Sequence, residues 1–400
     1  MTVFLTFLYA LLIPYIALEL LVLVGTFRAK RRPRSDKTPS VSVIIPAHNE
    51  EEDLPATLYS LWHQEYEGDV EFVIVNDRSK DRTPEIVEEF MAKDSRFRLL
   101  NISQASKRFA PKVNAVDYGI RHSTGDIIFA SDSDCQYHPR WVADMVSHFE
   151  DDVAMVVGYV ETRYKRRNFV EKFEATDWFS LMLVSRALTH FGWKFASSAN
   201  NQAYRRSAFE QIGGFGVNRR APSGDEDLLT QSMAKLPNMR IVFASTPESR
   251  VRTQPMSDLK AFLKQRTRWS SRYKYMLHYH PTFLASIFCL AAQSVVLSIA
   301  ILLSLVVPAM APWVFGLWGA KLAVEIFTMY IGTRQLDRKD LWGLNTLRWA
   351  LLHPFFIAYT VIMAFYRTGE WKAGARSYRR RFYKRRVREI RRKLQADFHF

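Results

Sequence analysis

The stretch Thr124-Gly-Asp-Ile-Ile-Phe-Ala-Ser-Asp-Ser-Asp134 decides the fold. Ile127 to Ala130 is a short apolar strand that runs into two aspartates one residue apart. Alternate residues of an extended chain point the same way, so Asp132 and Asp134 can face whatever sits at the strand's end. Paired carboxylates at the carboxyl end of an α/β strand suit a divalent cation and, through it, a diphosphate. The bland alternative is a polar turn that caps the next helix, and the stretch alone does not choose between them.

The neighbouring segments supply the context. Val41 to Ile45 is a β-branched run, followed by Pro-Ala-His-Asn-Glu-Glu. Val70 to Val75 is a second strand ending in Asn76-Asp77-Arg78-Ser79, and Leu99 to Ile102 is a third. Helical spacing covers 53–64, where Leu54, Leu58, Leu61 and Trp62 share a face, and helices are also expected over 81–93 and 111–123. Strands alternating with helices predict a mostly parallel sheet wound by helices, an α/β fold. In such sheets the polar loops after the strands gather on one edge, where ligands bind. Here those loops carry Asp77, Asp132 and Asp134. Further on, a helix is expected over 140–150, a strand over Ala154 to Glu161 and a helix over 169–190. Ser223-Gly-Asp-Glu-Asp-Leu-Leu229 is an acidic loop entering a helix, since acids in a first turn suit the helix dipole.

Composition is uneven along the 400 residues. Hydrophobic residues make up 48% and the formal charge is +16, but the charge is localised. Residues 28–37 hold six Lys/Arg against one acid, and residues 367–400 hold thirteen against three, which leaves the remainder nearly neutral. Basic runs beside apolar spans are the positive-inside signal, helped by anionic lipids. Few aromatics interleave the tail, and a nucleic-acid partner is not expected. The two cysteines, Cys135 and Cys289, have no metal-ligand spacing, which argues against a disulfide scaffold or zinc site.

Residues 2–27 are apolar apart from Glu19, longer than a signal peptide and without its basic start, and are expected to be a transmembrane anchor. Two more spans are expected from Phe283 to about Met310 and from Trp313 to Gly332. A third run, Trp349 to Tyr366, contains His353 and Pro354 and either spans or re-enters, because a full crossing would move the basic tail to the opposite side from the basic linker. Lys321 and Glu325 sit at i,i+4 within a span, as a mutual pair or as part of a pathway. The expected layout is therefore an anchor (1–27), a basic linker (28–40), an α/β domain (41–256), an interfacial amphipathic helix (257–280), a membrane region (281–366) and a basic tail (367–400).

Five motifs in order carry a resemblance: Val43-Ile-Ile-Pro-Ala-His-Asn-Glu50, Val75-Asn-Asp-Arg-Ser79, Asp132-Ser-Asp134, Gly224-Asp-Glu-Asp227 and Gln265-Arg-Thr-Arg-Trp269. Together they resemble the membrane-embedded family 2 glycosyltransferases, the group of cellulose, chitin and hyaluronan synthases. The neighbouring ceramide glucosyltransferases share the aspartates and the Gln-x-x-Arg-Trp. The resemblance implies a GT-A, Rossmann-like fold and inverting transfer from a nucleotide sugar, with UDP as the nucleotide by resemblance only. It implies that Pro46, Ala47, Glu50 and Asp77 hold base and ribose, with Lys112 and Asp132 near the nucleotide. Asp132 and Asp134 then bind Mg2+ or Mn2+, Asp227 is the catalytic base beside Glu226, and Gln265, Arg268 and Trp269 line the acceptor and diphosphate side.

Two departures qualify it: the Lys112 loop lacks preceding glycines, and Ser197-Ser-Ala-Asn-Asn-Gln-Ala-Tyr-Arg-Arg206 lacks a Cys-Gly pair. The tail segment Glu370-Trp-Lys-Ala-Gly-Ala-Arg-Ser-Tyr378 is similar to one found after the last span in some relatives. Few spans favour a lipid acceptor over an extruded glycan, with processive polysaccharide synthesis as the alternative and a non-catalytic membrane scaffold or a tail-mediated nucleic-acid binder as the remote one. The expected location is the plasma membrane, with the catalytic domain in the cytoplasm.

Overall fold

A computed structural model describes residues 2–29, 35–106, 109–164, 168–193, 198–216, 225–256, 258–271 and 281–366. Residues 30–34 of the basic linker, Ser197, Gly224, residues 272–280 of the expected interfacial helix and the basic tail lie outside the described residues. The chain forms two compact units, one built on a sheet and one on helices.

The sheet unit takes Arg32–Arg163 and Ala196–Ser257 of the described chain. The chain enters it after helix α1 (Thr2–Arg28) and forms β1 (Val41–Ala47), α2 (Leu54–Trp62), β2 (Val70–Asp77), α3 (Thr83–Met91), β3 (Phe97–Ile102), α4 (Pro111–Arg121) and β4 (Ile127–Ala130). It continues through β5 (Gln136–Tyr137), α5 (Trp141–Val146), β6 (Val153–Gly158) and β7 (Val160–Thr162), and leaves the unit for α6 (Phe169–His190). It returns as β8 (Gln202–Arg205), α7 (Arg206–Gln211), α8 (Asp225–Met233), β9 (Arg240–Ala244) and β10 (Val251–Thr253).

Seven strands form one sheet in the order β3-β2-β1-β4-β8-β6-β9. β3, β2, β1 and β4 are mutually parallel, β8 runs antiparallel to both β4 and β6, and β9 is parallel to β6. β1, β4 and β6 are almost wholly buried, which is why they read as continuous apolar runs with no alternation. Two cores fill the two faces. One holds Val43, Ile45, Phe72, Phe129 and Trp141, and the other Ile44, Val73, Ile128, Met155 and Tyr204. Consecutive residues of one strand, such as Ile44 and Ile45, thus serve opposite faces.

The strand expected from Ala154 to Glu161 is two strands. β6 stays in the large sheet, whereas β7 joins β10 and β5 in a separate three-stranded sheet. The break falls at Tyr159, whose carbonyl accepts from Asn201 Nδ2 (3.0 Å) and from the Val251 amide (3.1 Å). Gly158 permits it, since a Cβ there would meet the Asn201 side chain at 2.1 Å.

The helical unit contains α1, α6, α9 (Leu259–Ser270), α10 (Pro281–Val306), α11 (Ala311–Gln335) and α12 (Leu344–Tyr366). Within the expected 41–256 stretch, α6 falls in the helical unit, where it packs mainly on α1 and α12 and meets α11 locally through Leu183. Gly25 and Gly332 let α1 and α11 approach, and a Cβ at either would press on Ala187 or Leu183 at 2.7 Å or less. Arg186 of α6 caps the end of α1 through the Ala29 carbonyl (2.8 Å) and binds Gln335 Oε1 (2.9 Å).

Among the described residues, four helices are long and apolar enough to cross a membrane, at 23, 24, 28 and 23 residues. Leu302, Leu305, Val306, Phe365 and Tyr366 are exposed on them, as expected of side chains whose solvent is lipid. The run from Trp349 is one continuous helix through Pro354, long enough to span. Lys321 and Glu325 do pair (2.5 Å), and Tyr15 of α1 donates to the same Glu325 oxygen (2.6 Å).

Candidate active site

β1 lies between β2 and β4, so the carboxyl ends of three adjacent parallel strands open on one edge of the sheet. The order reverses at β1, and ligands of open α/β sheets bind in that crevice. The first loop carries His48, Asn49 and Glu50, the second Asp77 and Arg78, and the third Asp132 and Asp134.

The first two loops are tied together. Asn49 and Arg78 both adopt left-handed backbone, with φ of 54° and 58°. Non-glycine residues hold that conformation only where their surroundings impose it. The surroundings are visible: Asn49 N donates to Ser79 Oγ (3.0 Å), Lys80 N to Asn49 Oδ1 (2.9 Å) and Ser79 N to Asn76 Oδ1 (3.0 Å). His48 Nδ1 meets the Asp77 carbonyl at 2.6 Å. The Glu50 amide donates to Thr83 Oγ1 (2.9 Å), and the Glu50 side chain is buried. Pro46 and Ala47 end β1 opposite Val75 and Asn76 of β2. Asp77 is also buried and takes a two-point contact from its neighbour Arg78, at 2.8 and 3.2 Å.

The third loop is braced from beneath. Ser131 Oγ donates to the Asn200 carbonyl (2.5 Å) and receives the Tyr137 hydroxyl (2.8 Å). Thr57 Oγ1 meets the carbonyls of Ser133 and Cys135 at 2.8 Å. Asn200 Nδ2 also reaches Cys135 Sγ (3.3 Å). Burial, and then the charges of Asp134 and Asp132, push the Cys135 thiol far above its ordinary value. It is a packed thiol and not a nucleophile. Above the loop, the Lys112 ammonium sits 2.6 Å from Asp132 Oδ1. Lys112 opens α4, whose start is set by Pro111.

The remaining expected residues are placed on two helices. Asp227 is buried in the first turn of α8, which packs on β6 through Thr230 and Met155 (3.7 Å). The side chains of Asp225 and Glu226 lie outside the described residues. Gln265, Arg268 and Trp269 lie on α9 of the helical unit, a helix capped by the Asp258 side chain on the Ala261 amide (2.9 Å). The structure thus brings together Pro46, Ala47, Glu50, Asp77, Lys112, Asp132 and Asp134 at one edge, with Asp227 in the same unit. Asn76 and Ser79 lie inside a quoted motif without an individual role there, and Thr83, Tyr137 and Asn200 are given none by the sequence. Their work is to hold loops, and only a three-dimensional contact reveals it.

Among the described residues, no three His, Cys, Asp or Glu side chains group as a metal cage. Mg2+ and Mn2+ do not require one. Hard cations of this kind commonly take one or two carboxylates and fill the rest of the shell with phosphate oxygens and water. Asp134 and Asp132 fit that donor set, and Lys112 stands beside it as a cation for an anionic ligand.

Residues 42–213 match the family described as Glycosyl transferase family 2. The chain is 28% identical over 271 residues to the probable glycosyltransferase YdaM of Bacillus subtilis strain 168, covering 67% of this chain and 62% of that one. It is 28% identical over 179 residues to glycosyltransferase AglE of Haloferax volcanii (44% and 56%), and 27% over 241 residues to an N-acetylglucosaminyltransferase of Rhizobium meliloti (58% and 55%). The matches thus span little more than half the length of these relatives. Among solved structures, the mannosyltransferase PcManGT from Pyrobaculum calidifontis, in complex with GDP-Man and Mn2+, aligns with a TM-score of 0.56 at 16% identity, over 90% of this chain and 99% of that one. Residues 42–213 thus match the family 2 glycosyltransferases, the fold is of the GT-A kind, and among the described residues four helices are long and apolar enough to cross a membrane.

Proposed function

We propose that the protein transfers a sugar, with inversion, from a nucleoside diphosphate sugar to a lipid acceptor in the membrane. One observation carries the reading: Asp77, Lys112, Asp132 and Asp134 are gathered at the switch-point edge of a family 2 domain. In this account, the loops after β1 and β2 hold base and ribose through Glu50 and Asp77, with Pro46 and Ala47 shaping the floor. Asp134 and Asp132 would hold Mg2+ or Mn2+, which supplies positive charge against the leaving diphosphate.

Inverting transfer is one in-line displacement. The acceptor hydroxyl forms the new bond at the anomeric carbon as the bond to the diphosphate breaks, and the hydroxyl proton leaves to a base. Asp227 is that base. Lys112 offers an ammonium to the diphosphate, and Arg268 a guanidinium as charge develops. The lipid acceptor is supported by the company the domain keeps. A chain with four candidate spans among its described residues has ready access to a lipid with a hydroxyl headgroup, whereas a glycan channel calls for a larger lining of helices. The catalytic domain then faces the cytoplasm, where nucleotide sugars are made.

The experiment is nucleoside diphosphate release by the detergent-purified protein with UDP-glucose, UDP-galactose, UDP-N-acetylglucosamine and GDP-mannose, each with and without a polar-lipid extract. Release from one donor that depends on added lipid supports the reading. Lipid-independent release with a growing glycan product supports the synthase instead.

A further inference from the structure

The Gln-Arg-Thr-Arg-Trp segment contains a residue to which the transferase reading gives no role. Arg266 is 6% exposed, the most buried cation of α9. Its Nε donates to Asp177 Oδ2 of α6 at 2.9 Å, and both side chains are sealed from solvent. Its Nη1 donates to Gln265 Oε1 at 2.9 Å. The guanidinium carbon lies over the Trp269 ring, 4.1 Å from its centroid, with Phe262 at 4.9 Å and Trp178 at 5.7 Å. One cation therefore touches both flanking members of the motif, Gln265 and Trp269, and fastens them to a second helix.

A search for stability does not explain this choice. Desolvating an arginine and an aspartate is expensive, and an apolar pair of similar size often serves as well or better. The surroundings are already apolar: Phe262 stacks on Phe356 of α12 at 5.1 Å and meets Phe173 of α6 at 6.1 Å. Among the described residues Arg266 Nη2 is buried without a hydrogen-bond partner, a further cost. What the guanidinium supplies, and a methionine would not, is direction. Its fork fixes the Gln265 amide in one orientation, and its face fixes the indole plane.

We propose that Arg266, held by Asp177, is a positioning residue that sets Gln265 and Trp269 for sugar transfer. The proposal rests on the transferase reading and on Gln265 and Trp269 meeting the substrate. Asp177 orients Arg266, Arg266 orients the two motif side chains, and neither needs to touch substrate.

The test is a set of steady-state measurements on the full-length detergent-purified protein, using whichever of the four nucleotide sugars above the wild type turns over. Arg266→Met is expected to lower kcat about thirtyfold with the donor KM within about threefold, because the donor is held by other residues. Asp177→Asn is expected to lower it about tenfold, and Asp177→Glu, which restores the carboxylate, to recover most of that loss. In the cycle with Trp269→Leu, the double variant Arg266→Met/Trp269→Leu should be no more than about threefold worse than Trp269→Leu alone, since both changes break one linkage. If Arg266→Met does not accumulate as folded protein, the Asp177→Asn and Asp177→Glu pair carries the same comparison. Wild-type kcat in Arg266→Met or Asp177→Asn, or losses that simply multiply in the double variant, overturns the proposal. A wild type inert to all four donors contradicts the transferase reading itself, and the positioning role falls with it.

Discussion

The Lys112 ammonium lies 2.6 Å from Asp132 Oδ1, so the cation at the start of α4 and the first aspartate of the paired motif form one contact. The pair is partly open to solvent, with side-chain exposures of 20% and 27%. Lys112 thus stands at the aspartate loop, and in the proposed mechanism it offers its ammonium to the diphosphate.

This gives the first prediction. Lys112→Met should weaken donor binding by about tenfold or more, the cost of one charge-assisted hydrogen bond of about 1.5–3 kcal/mol. The loss should appear in the donor KM and in nucleoside diphosphate titrations. Unchanged affinity in Lys112→Met would remove Lys112 from the nucleotide site.

Asp227 separates binding from chemistry. Asp227→Asn keeps the shape and the hydrogen-bonding reach of the side chain but takes away its basicity. The expected loss is about 10²–10⁴ in kcat, with nucleotide affinity within about twofold of wild type. Full activity in this variant would assign the base elsewhere.

The third prediction concerns the turn that launches β4. A Cβ at Gly125 would lie 2.4 Å from the Ser42 amide nitrogen and 2.5 Å from the Val41 carbonyl carbon, both backbone atoms of β1. Gly125→Ala must push two paired strands apart, at about 1–3 kcal/mol or more. Thermal unfolding should shift down, and donor affinity should fall with it because β4 carries the aspartates.

A fourth prediction is about acid. Glu71 gathers the Thr124 amide (2.7 Å), the Ser42 hydroxyl (2.7 Å) and Arg98. Burial pushes its carboxyl up, but these hydrogen bonds together outweigh it and hold the group below its ordinary value. A carboxylate depressed in the folded state contributes stability above its unfolded value and loses it as pH falls through the folded one. Unfolding midpoints of wild type should therefore drop through the acid range below the usual carboxylate value. Glu71→Gln should start lower at neutral pH and show a flatter acid limb. Parallel curves would contradict this.

Much of this architecture was legible in the sequence, for definable reasons. β1, β2 and β4 are buried on both faces, so their apolar runs and polar exits stand out, and Asp77, Asp132 and Asp134 follow from strand ends alone. Other parts were hidden by chain order. α6 sits between segments of the sheet unit in sequence, yet Ala187 and Leu183 pack on Gly25 and Gly332 of the helical unit. No local pattern encodes that. The break at Tyr159 is hidden for the same reason, since Val156, Val157 and Val160 read as one strand and only Asn201 divides them. In the sequence Arg266 is an unassigned position inside Gln265-Arg-Thr-Arg-Trp269. Its burial depends on Asp177, eighty-nine residues earlier.

The most direct test of the central claim is mass spectrometry of lipids recovered after incubation with the active nucleotide sugar and Mn2+, for wild type, wild type with EDTA, and Asp227→Asn. The account predicts a lipid heavier by one sugar residue in the first sample and none in the other two. A sugar-bearing lipid that forms equally in all three, or no sugar-bearing lipid from the wild type, would contradict it.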